Sequence, residues 1–507
     1  MKREKNFTSA KDWQKSIPRP VCDAHKDFIP LYEKAWLLAH DHIKDVPGLP
    51  ATPYMDEAAS PYDIWIWDTC FMVLFCKYAQ DRFPGVESLQ NFYKVLHDGA
   101  ILPRLPHPEL PEGIQFSIHI ADNPPLFAWT EYENALMHGN KEHLKTLLLE
   151  KQYLQKHFAF LQSLDKETLF PMVRAESRWK THENGYFWEG GRSGMDNTPR
   201  GRKSTPTTVN RPDNKHILWV DAIAQQALSA LYIVKLAKIL REKELEKVWQ
   251  EKYELLKEKI NTLYWDEEDG FYYDIVAATN EKVKVMTPAS FWVLLAEAAP
   301  FDRAVRMAKY LADPAKLGGK VPCVTLARDD ADFNSEHGLY WRGAMWVPTA
   351  YMSIKAIEKY GMKDLARVLS LKILEHMNIT YQTYTPHTIW ECYAPNSYAP
   401  SHSCSRPWKT VRQDFCGWSA LAPISLFIEN VIGIRKADAF HNTLFWDIPE
   451  NIKGKLGVNS YQFGDITADL LYEDNEINIS SDKEFSLVVY EKNFSVKAGR
   501  NTFKIKE

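Results

Sequence analysis

The seven cysteines of this 507-residue chain form no C-x-x-C pair, so neither a structural zinc site nor a dithiol redox motif is indicated. Their odd number and scattered positions predict free thiols that are buried or partly buried, which favours a reducing compartment. The N-terminal stretch MKREKNFTSAKDWQKS is basic but lacks the apolar segment of a signal peptide. We therefore expect a cytoplasmic protein, unless a signal has been removed.

Long apolar runs and clusters of basic residues are also missing. No stretch of about 18 apolar residues is present, so no membrane-spanning helix is expected. The formal net charge is −4, and no Lys/Arg run occurs, which argues against a nucleic acid or a membrane surface as the partner. There is no low-complexity tract and no repeat of fixed period, which argues against an open helical solenoid.

Aromatic residues are the feature present in excess. The chain has 17 Trp, 24 Tyr and 24 Phe, together 13% of its residues. Many lie beside Gly, Pro and Asn rather than at helical core spacing. Such a distribution suits rings that stack on sugars, and a large aromatic core is the alternative interpretation.

The apolar periodicity predicts a mainly α fold. About twelve helices between residues 28 and 435 pair as six antiparallel hairpins, and short turns alternate with long loops over 99–120, 166–214, 313–343 and 379–414. Loops of that length in compact domains are usually functional or disordered. A closed ring of hairpins would gather them over one central pocket, so we expect an (α/α)6 toroid.

The two ends of the chain differ from this helical region. Residues 1–27 are expected to form an irregular leader. Residues 436–507 contain alternating segments such as ITADLLY and FSLVVYE at roughly 10-residue spacing, which is typical of strands. They predict a small β-sandwich or β-sheet domain after the helical domain of residues 28–435.

The stretch Phe187–Arg200, FWEGGRSGMDNTPR, is the first candidate for chemistry. It places Asp196 in a loop of glycines and small polar residues that ends in a proline and follows two aromatics. Apolar surface beside a carboxyl raises its pKa, which suits a catalytic acid. The alternative is an Asp that caps a helix or fixes a turn.

A second carboxyl is needed if Asp196 is the acid of a glycoside hydrolase. The best candidate is Glu391 in THTIWECYAPNSYAP, again a long loop with aromatics and proline. The alternative is an ordinary exposed loop glutamate. Other carboxyl candidates are Glu176, Glu189 and Asp414; of these, Glu189 is more suited to bracing the Asp196 loop, and Asp414 equally suits a helix cap.

Two further clusters place tryptophan beside a fixed charge. IWIWDTCF contains Trp67 and Asp68, and YWRGAMWVP contains Trp341, Arg342 and Trp346. A ring beside a charge can stack on one face of a pyranose and bind its hydroxyls, although core packing is the alternative for each tryptophan. Further candidates for substrate binding are Trp188, Arg200, Trp390, Tyr393 and Trp418.

Four motifs in this order resemble those of the family 63 glycoside hydrolases, with the family 37 trehalases as more distant relatives: SGMDNTPR, YWRGAMWVPTAYM, IWECYAPNS and DFCGWSALAPISLFIENVIGI. The resemblance runs from about Pro61 to Gly433. It implies an (α/α)6 barrel and hydrolysis of α-glycosidic bonds with inversion. It further implies Asp196 as general acid and Glu391 as general base. The pocket for the glycone, the sugar whose anomeric carbon is attacked, would be lined by Trp67, Asp68, Trp341, Arg342 and Trp346.

The chain departs from this family at two site positions, since many relatives have Asn where it has Cys392 and Asp where it has Asn197. The expected activity is an exo-acting inverting α-glycoside hydrolase that cleaves an α-glucosidic or α-mannosidic bond with no metal or cofactor. Its partner is a carbohydrate, and the oligomeric state is left open.

Three other functions remain possible from the sequence. A sugar epimerase on the same toroid would use paired histidines, for which His337, His387 and His402 in long loops are candidates. A polysaccharide lyase would use Tyr or His together with Arg. A non-catalytic carbohydrate-binding protein would keep the aromatics without needing two positioned acids.

Overall fold

The computed structural model describes residues 13–60, 62–119, 124–163, 179–188, 193–201, 216–450 and 452–505. The helices are α1 (Ile29–Asp41), α2 (Ile66–Cys76), α3 (Gly85–Asp98), α4 (Phe127–His138), α5 (Lys141–Lys145), α6 (Tyr153–Ser163), α7 (Val220–Leu240), α8 (Lys243–Lys259), α9 (Trp292–Leu295), α10 (Phe301–Ala308), α11 (Val347–Glu358), α12 (Lys363–Thr383) and a C-terminal π-helix (Ala422–Ile432). Single π-helical turns extend α5 (Thr146–Glu150) and α8 (Ile260–Tyr264). The prediction of a mainly helical chain is confirmed.

Six of these helices contact one another in a closed cycle. α2 packs against α4, α4 against α7, α7 against α9, α9 against α11, α11 against the C-terminal π-helix, and that helix against α2. All eleven residues of α2 and all eleven of the π-helix are buried, as are 17 of the 21 residues of α7. Helices that are apolar all round belong inside a protein, which explains their place in this inner ring.

Amphipathic helices cover the ring from outside. α3 packs on α2, α8 on α7, and α12 on both α11 and the π-helix. α8 buries only Trp249 and Tyr253 among its 17 residues, because its sequence is rich in Glu and Lys on the remaining faces. Each outer helix therefore gives one face to its inner neighbour and the other to water.

Short strands occur between the helices. One five-stranded sheet has the order β14-β13-β10-β9-β8, and its strands β9 and β10 end next to Trp188 and Trp219. Its strands are β8 (Lys180–His182), β9 (Gly185–Phe187), β10 (Ile217–Leu218), β13 (Asp274–Val276) and β14 (Lys282–Val283). Four two-stranded sheets also occur. They pair β2 (Ile43–Lys44) with β3 (Tyr54–Met55), β4 (Asp63–Trp65) with β7 (Ser117–His119), β5 (Arg104–His107) with β6 (Leu110–Gln115), and β11 (Trp265–Asp266) with β12 (Phe271–Tyr272).

Two sheets are built mainly from strands that follow the last helix. One has the order β15-β16-β20-β21, and the other has the order β1-β17-β18-β19-β22, in which β1 (Arg19–Cys22) comes from the N-terminal segment. Phe463 and Phe485, one from each sheet, contact at a ring distance of 5.5 Å, and Phe494 and Phe503 do so at 5.2 Å. The strands are β15 (Ile434–Asp438), β16 (Thr443–Trp446), β17 (Leu456–Phe463), β18 (Ile466–Glu473), β19 (Glu476–Ser481), β20 (Phe485–Val489), β21 (Lys492–Val496) and β22 (Gly499–Lys504).

The N-terminal segment differs from its expectation. Within the predicted irregular leader, β1 (Arg19–Cys22) pairs antiparallel with β17, joining Arg19 to Asn459 and Cys22 to Leu456. Short 3-10 helices, Trp13–Lys15 and Asp23–Phe28, flank this strand. The described part of the leader is thus built into the C-terminal sheet. The proposed domain boundary near 436 falls within β15 and stays a prediction.

All seven cysteines are buried and free, which confirms the prediction of free thiols. Among the described residues, the helix Val220–Leu240 is long and apolar enough to cross a membrane by length and composition. However, 78% of its most apolar stretch is buried inside the protein, as expected for a helix of the inner ring.

Candidate active site

The loop that carries Asp196 is fixed on both sides of that residue. Gly194 has a φ of +84°, and a Cβ there would lie 2.2 Å from the ring of Trp67, so only glycine permits this close approach. The buried side chain of Asn197 donates from Nδ2 to the Leu339 carbonyl at 2.9 Å and accepts from the Trp341 N–H at 2.9 Å. Asp196 itself is half-buried between these two anchors. An amide suits position 197, because it donates and accepts at once.

Glu391 is a buried carboxylate with three donors. Its Oε1 accepts from the Tyr340 hydroxyl at 2.8 Å and from Nη1 of Arg412 at 2.7 Å, and its Oε2 accepts from the Arg412 backbone N–H at 3.2 Å. The carboxylate is 3% exposed, whereas the Arg412 side chain is half-exposed. These contacts stabilise a negative charge at Glu391.

Asp196 and Glu391 share four titratable neighbours. Burial raises the pKa of Asp68 well above its usual range, and the charges of both Asp196 and Glu391 raise it further. The pKa of the Cys404 thiol is raised to about 12, chiefly by burial, with both carboxylates contributing. The other two shared neighbours are Tyr340 and Arg412. The two loops, nearly 200 residues apart in sequence, therefore meet at one site.

Burial and the nearby carboxylates determine the pKa shifts of Tyr340 and Arg412. Burial, and then the charge of Glu391, raises the pKa of Tyr340 well above its usual value, so its hydroxyl remains a donor. Burial works against charge on Arg412, but the charges of Glu391 and Asp196 raise the pKa of its guanidinium above the usual value. One cation thus faces several carboxyl groups.

Four of the predicted tryptophans form one closed cluster. Trp341 stacks on Trp346 at 4.0 Å with an interplanar angle of 15°, and Trp67 lies 6.0 Å from Trp341. Trp418 closes the cluster at 5.7 Å from Trp67 and 5.3 Å from Trp346. All four are at most 6% exposed, so most of their ring area packs on other rings. The core-packing interpretation therefore holds for much of each ring.

This Trp cluster also positions the two loops that meet at Glu391. The Trp418 indole N–H donates to the Glu391 carbonyl at 3.1 Å, and the Trp346 indole N–H donates to the Tyr340 carbonyl at 3.0 Å. Asp68 and Trp67 lie in the first turn of α2, and Trp346 immediately precedes α11. The N-terminal ends of inner helices thus converge on the site.

Arg200 is fully engaged with protein groups. Its Nε and Nη2 donate to Asp274 at 2.8 and 2.6 Å, while Nη1 and Nη2 donate to Asp221 at 2.6 and 2.8 Å. Nη1 also lies 3.9 Å from the Met195 sulfur, and the guanidinium stacks over Trp219 at 4.1 Å. These partners use the donors that a sugar would need. The structure places Arg200 as the anchor of the Asp196 loop rather than as a substrate contact.

The remaining predicted residues lie in supporting contacts. Arg342 is buried and pairs with Asp332 at 2.8 Å. Trp188 contacts Trp179 at 5.1 Å. The Tyr393 hydroxyl accepts from the backbone N–H of Trp390 at 3.1 Å, and the two rings contact His376 and Tyr384, respectively. Substrate contact by these four residues stays a prediction.

The rival carboxylates and the histidines have other surroundings. Asp414 accepts from the Thr388 hydroxyl and pairs with Lys34 at 3.4 Å. Glu176 and Glu189 lie outside the described residues. The rings of His337 and His402 stack on each other at 3.7 Å, while Nδ1 of His387 is hydrogen-bonded to the Tyr381 carbonyl at 2.8 Å.

Three residues of the site were missed from the sequence. Tyr340 and Arg412 contact Glu391 from loops that show no periodic signal. Glu57 is fully buried, and neither of its carboxyl oxygens has a hydrogen-bond partner among the described residues. Burial, followed by the charges of Asp68 and Asp56, raises the pKa of Glu57 well above its usual range. A signal for Tyr340 existed, because it directly precedes Trp341 in the YWRGAMWVP motif.

One carboxylate group elsewhere has the spacing of a cation site. Asp266, Glu268 and Asp269 have oxygens within 4.8 Å of one another. The Lys284 ammonium lies 3.2, 3.4 and 3.2 Å from these three carboxylates, so the described cluster is already paired with a cation.

Comparison with known families agrees with this geometry. Residues 61–408 match the model of the mannosylglycerate hydrolase MGH1-like glycoside hydrolase domain. The chain belongs to this glycoside hydrolase family. The match includes Trp67, Asp196, Tyr340 and Glu391, and it confirms the resemblance to family 63.

Individual relatives of this MGH1-like chain share 30% identity or less with it in the three comparisons that follow. An uncharacterised protein of Borreliella burgdorferi is 27% identical over 84% of this chain and 83% of its own length. The mannosylglycerate hydrolase of Thermus thermophilus is 30% identical over 31% of this chain, and the match spans 36% of that enzyme. The solved family 63 mannosylglycerate hydrolase from Thermus thermophilus in complex with glucose shares the fold, with a TM-score of 0.54, 19% identity and coverage of 78% of this chain and 99% of that one.

Proposed function

We propose that the protein is an exo-acting, inverting α-glycoside hydrolase that cleaves an α-glucosidic or α-mannosidic bond in a small glycoside or oligosaccharide. The observation that carries this proposal is that Asp196 and Glu391 act on the same four neighbours, Asp68, Tyr340, Cys404 and Arg412. Two carboxyl groups in one site are what an inverting glycosidase requires. The names of the relatives, a mannosylglycerate hydrolase and a mannosyl-oligosaccharide glucosidase, support a substrate of this class.

The different surroundings of the two carboxyl groups support different roles. Glu391 accepts hydrogen bonds from a guanidinium, a phenol and a backbone amide, and we assign this positioned carboxylate as the base that deprotonates water. Asp196 shares Asp68, Tyr340 and Arg412 with Glu391 but lies on a separate loop, so we assign it the role of the second carboxyl group, the general acid. Asp196 therefore donates its proton to the glycosidic oxygen as the bond breaks, while the water attacks from the opposite face.

We also propose that the closed cycle of inner helices with its outer layer is an (α/α)6 toroid of six hairpins, and that residues 436–507 form a small β-sandwich domain. The cycle from α2 to the C-terminal π-helix and back supports the first proposal. The aromatic contacts between the two C-terminal sheets support the second. A cytoplasmic location is proposed from the free thiols.

The histidine arrangement does not favour the epimerase alternative. An epimerase needs its acid and base on opposite faces of a sugar, but the imidazoles of His337 and His402 stack directly on each other at 3.7 Å. No sugar ring fits between rings at that distance. We therefore place hydrolysis first.

The test is hydrolysis of a panel of α-glucosides and α-mannosides, including an α-mannosylglycerate and α,α-trehalose, followed in real time by proton NMR. The proposal expects the glycone to be released as the β-anomer, with its α-anomer forming only later by mutarotation. From α,α-trehalose, the leaving glucose keeps its α configuration, so α- and β-glucose should appear together in equal amounts. Release of the glycone as the α-anomer would contradict inversion, and no hydrolysis of any member would contradict the activity.

A further inference from the structure

Trp408 differs from every other tryptophan of the chain. All 17 tryptophans lie in the described part of the chain; 15 are buried, Trp65 is half-buried, and Trp408 is 75% exposed. No ring contact or cation–π contact of Trp408 is found among the described residues. A single exposed apolar side chain is common and means little by itself. Its position on the chain gives it significance.

Trp408 lies at the tip of a hairpin formed by residues 401–411. The hairpin is closed by the bonds from the Val411 N–H to the Ser401 carbonyl at 3.0 Å and from the Ser403 N–H to the Lys409 carbonyl at 2.9 Å. At the tip, the Lys409 N–H donates to the Arg406 carbonyl at 2.8 Å, which defines a four-residue turn. Its second residue is Pro407, where proline is favoured, and its third is Trp408. The indole is thus displayed on a fixed turn.

The hairpin is fastened to the catalytic loops at several points. The His402 ring contacts the Pro407 carbonyl at 2.7 Å through Nδ1 and stacks on His337 at 3.7 Å. Three residues after His337, Tyr340 donates to Glu391. Arg412, the residue after the hairpin, forms the ion pair with Glu391 at 2.7 Å. A series of contacts through His402 and His337, together with the ion pair of Arg412, therefore connects the turn to the loops that hold Glu391.

Chain length limits how far the Cα of Trp408 can lie from the residues around Glu391. Trp408 is four residues from Cys404, whose pKa is raised in part by both proposed catalytic carboxylates. It is also four residues from Arg412, which pairs with Glu391. A chain spans at most about 3.6 Å per residue, so the Cα of Trp408 lies within about 14 Å of both. One sugar ring beyond the cleaved bond falls in this range.

The Trp cluster near Asp68 is buried and separate from this exposed ring. We propose that Trp408 is a stacking platform for the leaving group, and that the substrate is an α-linked disaccharide or oligosaccharide whose leaving group is a pyranose. This inference rests on the proposed hydrolase function. The apolar face of a pyranose matches the face of an indole, while the exposed Arg406 and Lys409 on either side can donate to hydroxyls.

The kinetic test compares two substrates that share a glycone. One is an α-glycosyl fluoride, whose leaving group has no ring, and the other is an α-linked disaccharide. Trp408→Ala should lower the ratio of kcat/KM for the disaccharide to that for the fluoride by about tenfold, whereas Trp408→Phe should retain most of it. The control is Phe301→Ala, which removes an exposed aromatic at the start of α10 and should leave the ratio unchanged. An unchanged ratio in Trp408→Ala would overturn the inference.

A second measurement does not depend on turnover. Because Trp408 is the exposed indole, iodide should quench its fluorescence selectively, and Trp408→Phe should lack that component. The disaccharide should protect this component in the Asp196→Asn variant. Absence of protection would also overturn the inference. If sugar protects Trp408 but the wild-type protein hydrolyses no member of the panel, the hydrolase proposal fails while the binding inference stands.

Discussion

The Tyr340 hydroxyl donates to Oε1 of Glu391 at 2.8 Å, so the proposed general base is held by a phenol from a separate loop. Tyr340 has a φ of +68°, a left-handed conformation that costs energy for a residue with a Cβ. Asn197 fixes the residues on both sides of Tyr340 through the Leu339 carbonyl and the Trp341 N–H. The Asp196 loop therefore helps to orient the donor that contacts Glu391.

Removal of this donor should impair catalysis without unfolding the protein. Tyr340→Phe loses a hydrogen bond to a charged group, which is worth about 1.5–3 kcal/mol, so kcat/KM should fall about 10- to 100-fold. The matched control is Tyr351→Phe, which removes a phenol that donates to the buried Glu429 at 3.0 Å. If both variants lose the same activity, the effect is structural and the role of Tyr340 is wrong.

Arg200 should contribute to stability rather than to substrate binding. Arg200→Met leaves Asp221 and Asp274 buried without their cation, and loss of one partner of a buried ion pair costs about 3–5 kcal/mol. We expect a large loss in the free energy of unfolding, measured by denaturant titration. Arg412→Met should instead lower activity and reduce the free energy of unfolding less than Arg200→Met, because Glu391 keeps the Tyr340 hydroxyl and the backbone N–H of residue 412 as donors. A raised KM with normal stability in Arg200→Met would restore the substrate-binding role.

Glu57 predicts a pH-dependent difference in stability. Burial and the charge of Asp68 raise the pKa of Glu57 in the folded state. The stability that protonated Glu57 contributes is therefore complete below the unfolded-state pKa and is lost as the pH rises through the folded-state pKa. Glu57→Gln cannot ionise. The melting temperature of Glu57→Gln relative to wild type should therefore increase between about pH 4 and about pH 9.

The control for this measurement is Glu109→Gln, at an exposed glutamate on the surface of the protein. Its melting temperature relative to wild type should stay nearly constant over the same range. A constant difference for Glu57→Gln as well would show that Glu57 ionises as easily in the folded as in the unfolded chain.

The fold could be predicted where the sequence pattern is local. α2 and α7 are apolar on every face, and that pattern predicts inner helices directly. The strands Ile466–Glu473 and Phe485–Val489 coincide with the alternating segments ITADLLY and FSLVVYE. By contrast, β1 was missed because four residues carry little pattern and their partner strand lies more than 400 residues away.

Element boundaries were less predictable. The apolar pattern over 415–432 predicts one helix, but the helix in the structure covers only Ala422–Ile432. The pattern over 141–164 likewise predicts one helix, but a break at Gln152, which has a φ of +54°, divides it. The second break has no Gly or Pro at Gln152, so the pattern could not locate it, whereas Gly417 and Pro423 lie on either side of the first.

The candidate site shows the same division. Asp196 and Glu391 could be found because each lies in an unusual aromatic, proline-containing loop. The partners of Arg200 could not be predicted, since Asp221 and Asp274 belong to separate elements and look like ordinary acids. The aromatic excess was interpreted as sugar-stacking surface, but most tryptophans pack on other rings, and Trp408 alone is exposed.

The most direct test of the account compares the two proposed catalytic carboxyl groups on substrates with different leaving groups. A fluoride ion can leave without a proton, whereas the glycosidic oxygen of a leaving sugar must be protonated. Asp196→Asn should lose about 10²–10⁴-fold in kcat/KM on an unactivated α-glycoside but far less on the α-glycosyl fluoride, while Glu391→Gln should lose about 10²–10⁴-fold on both. Equal losses for the two substrates in Asp196→Asn, or near-wild-type hydrolysis by Glu391→Gln, would contradict the assignment of acid and base.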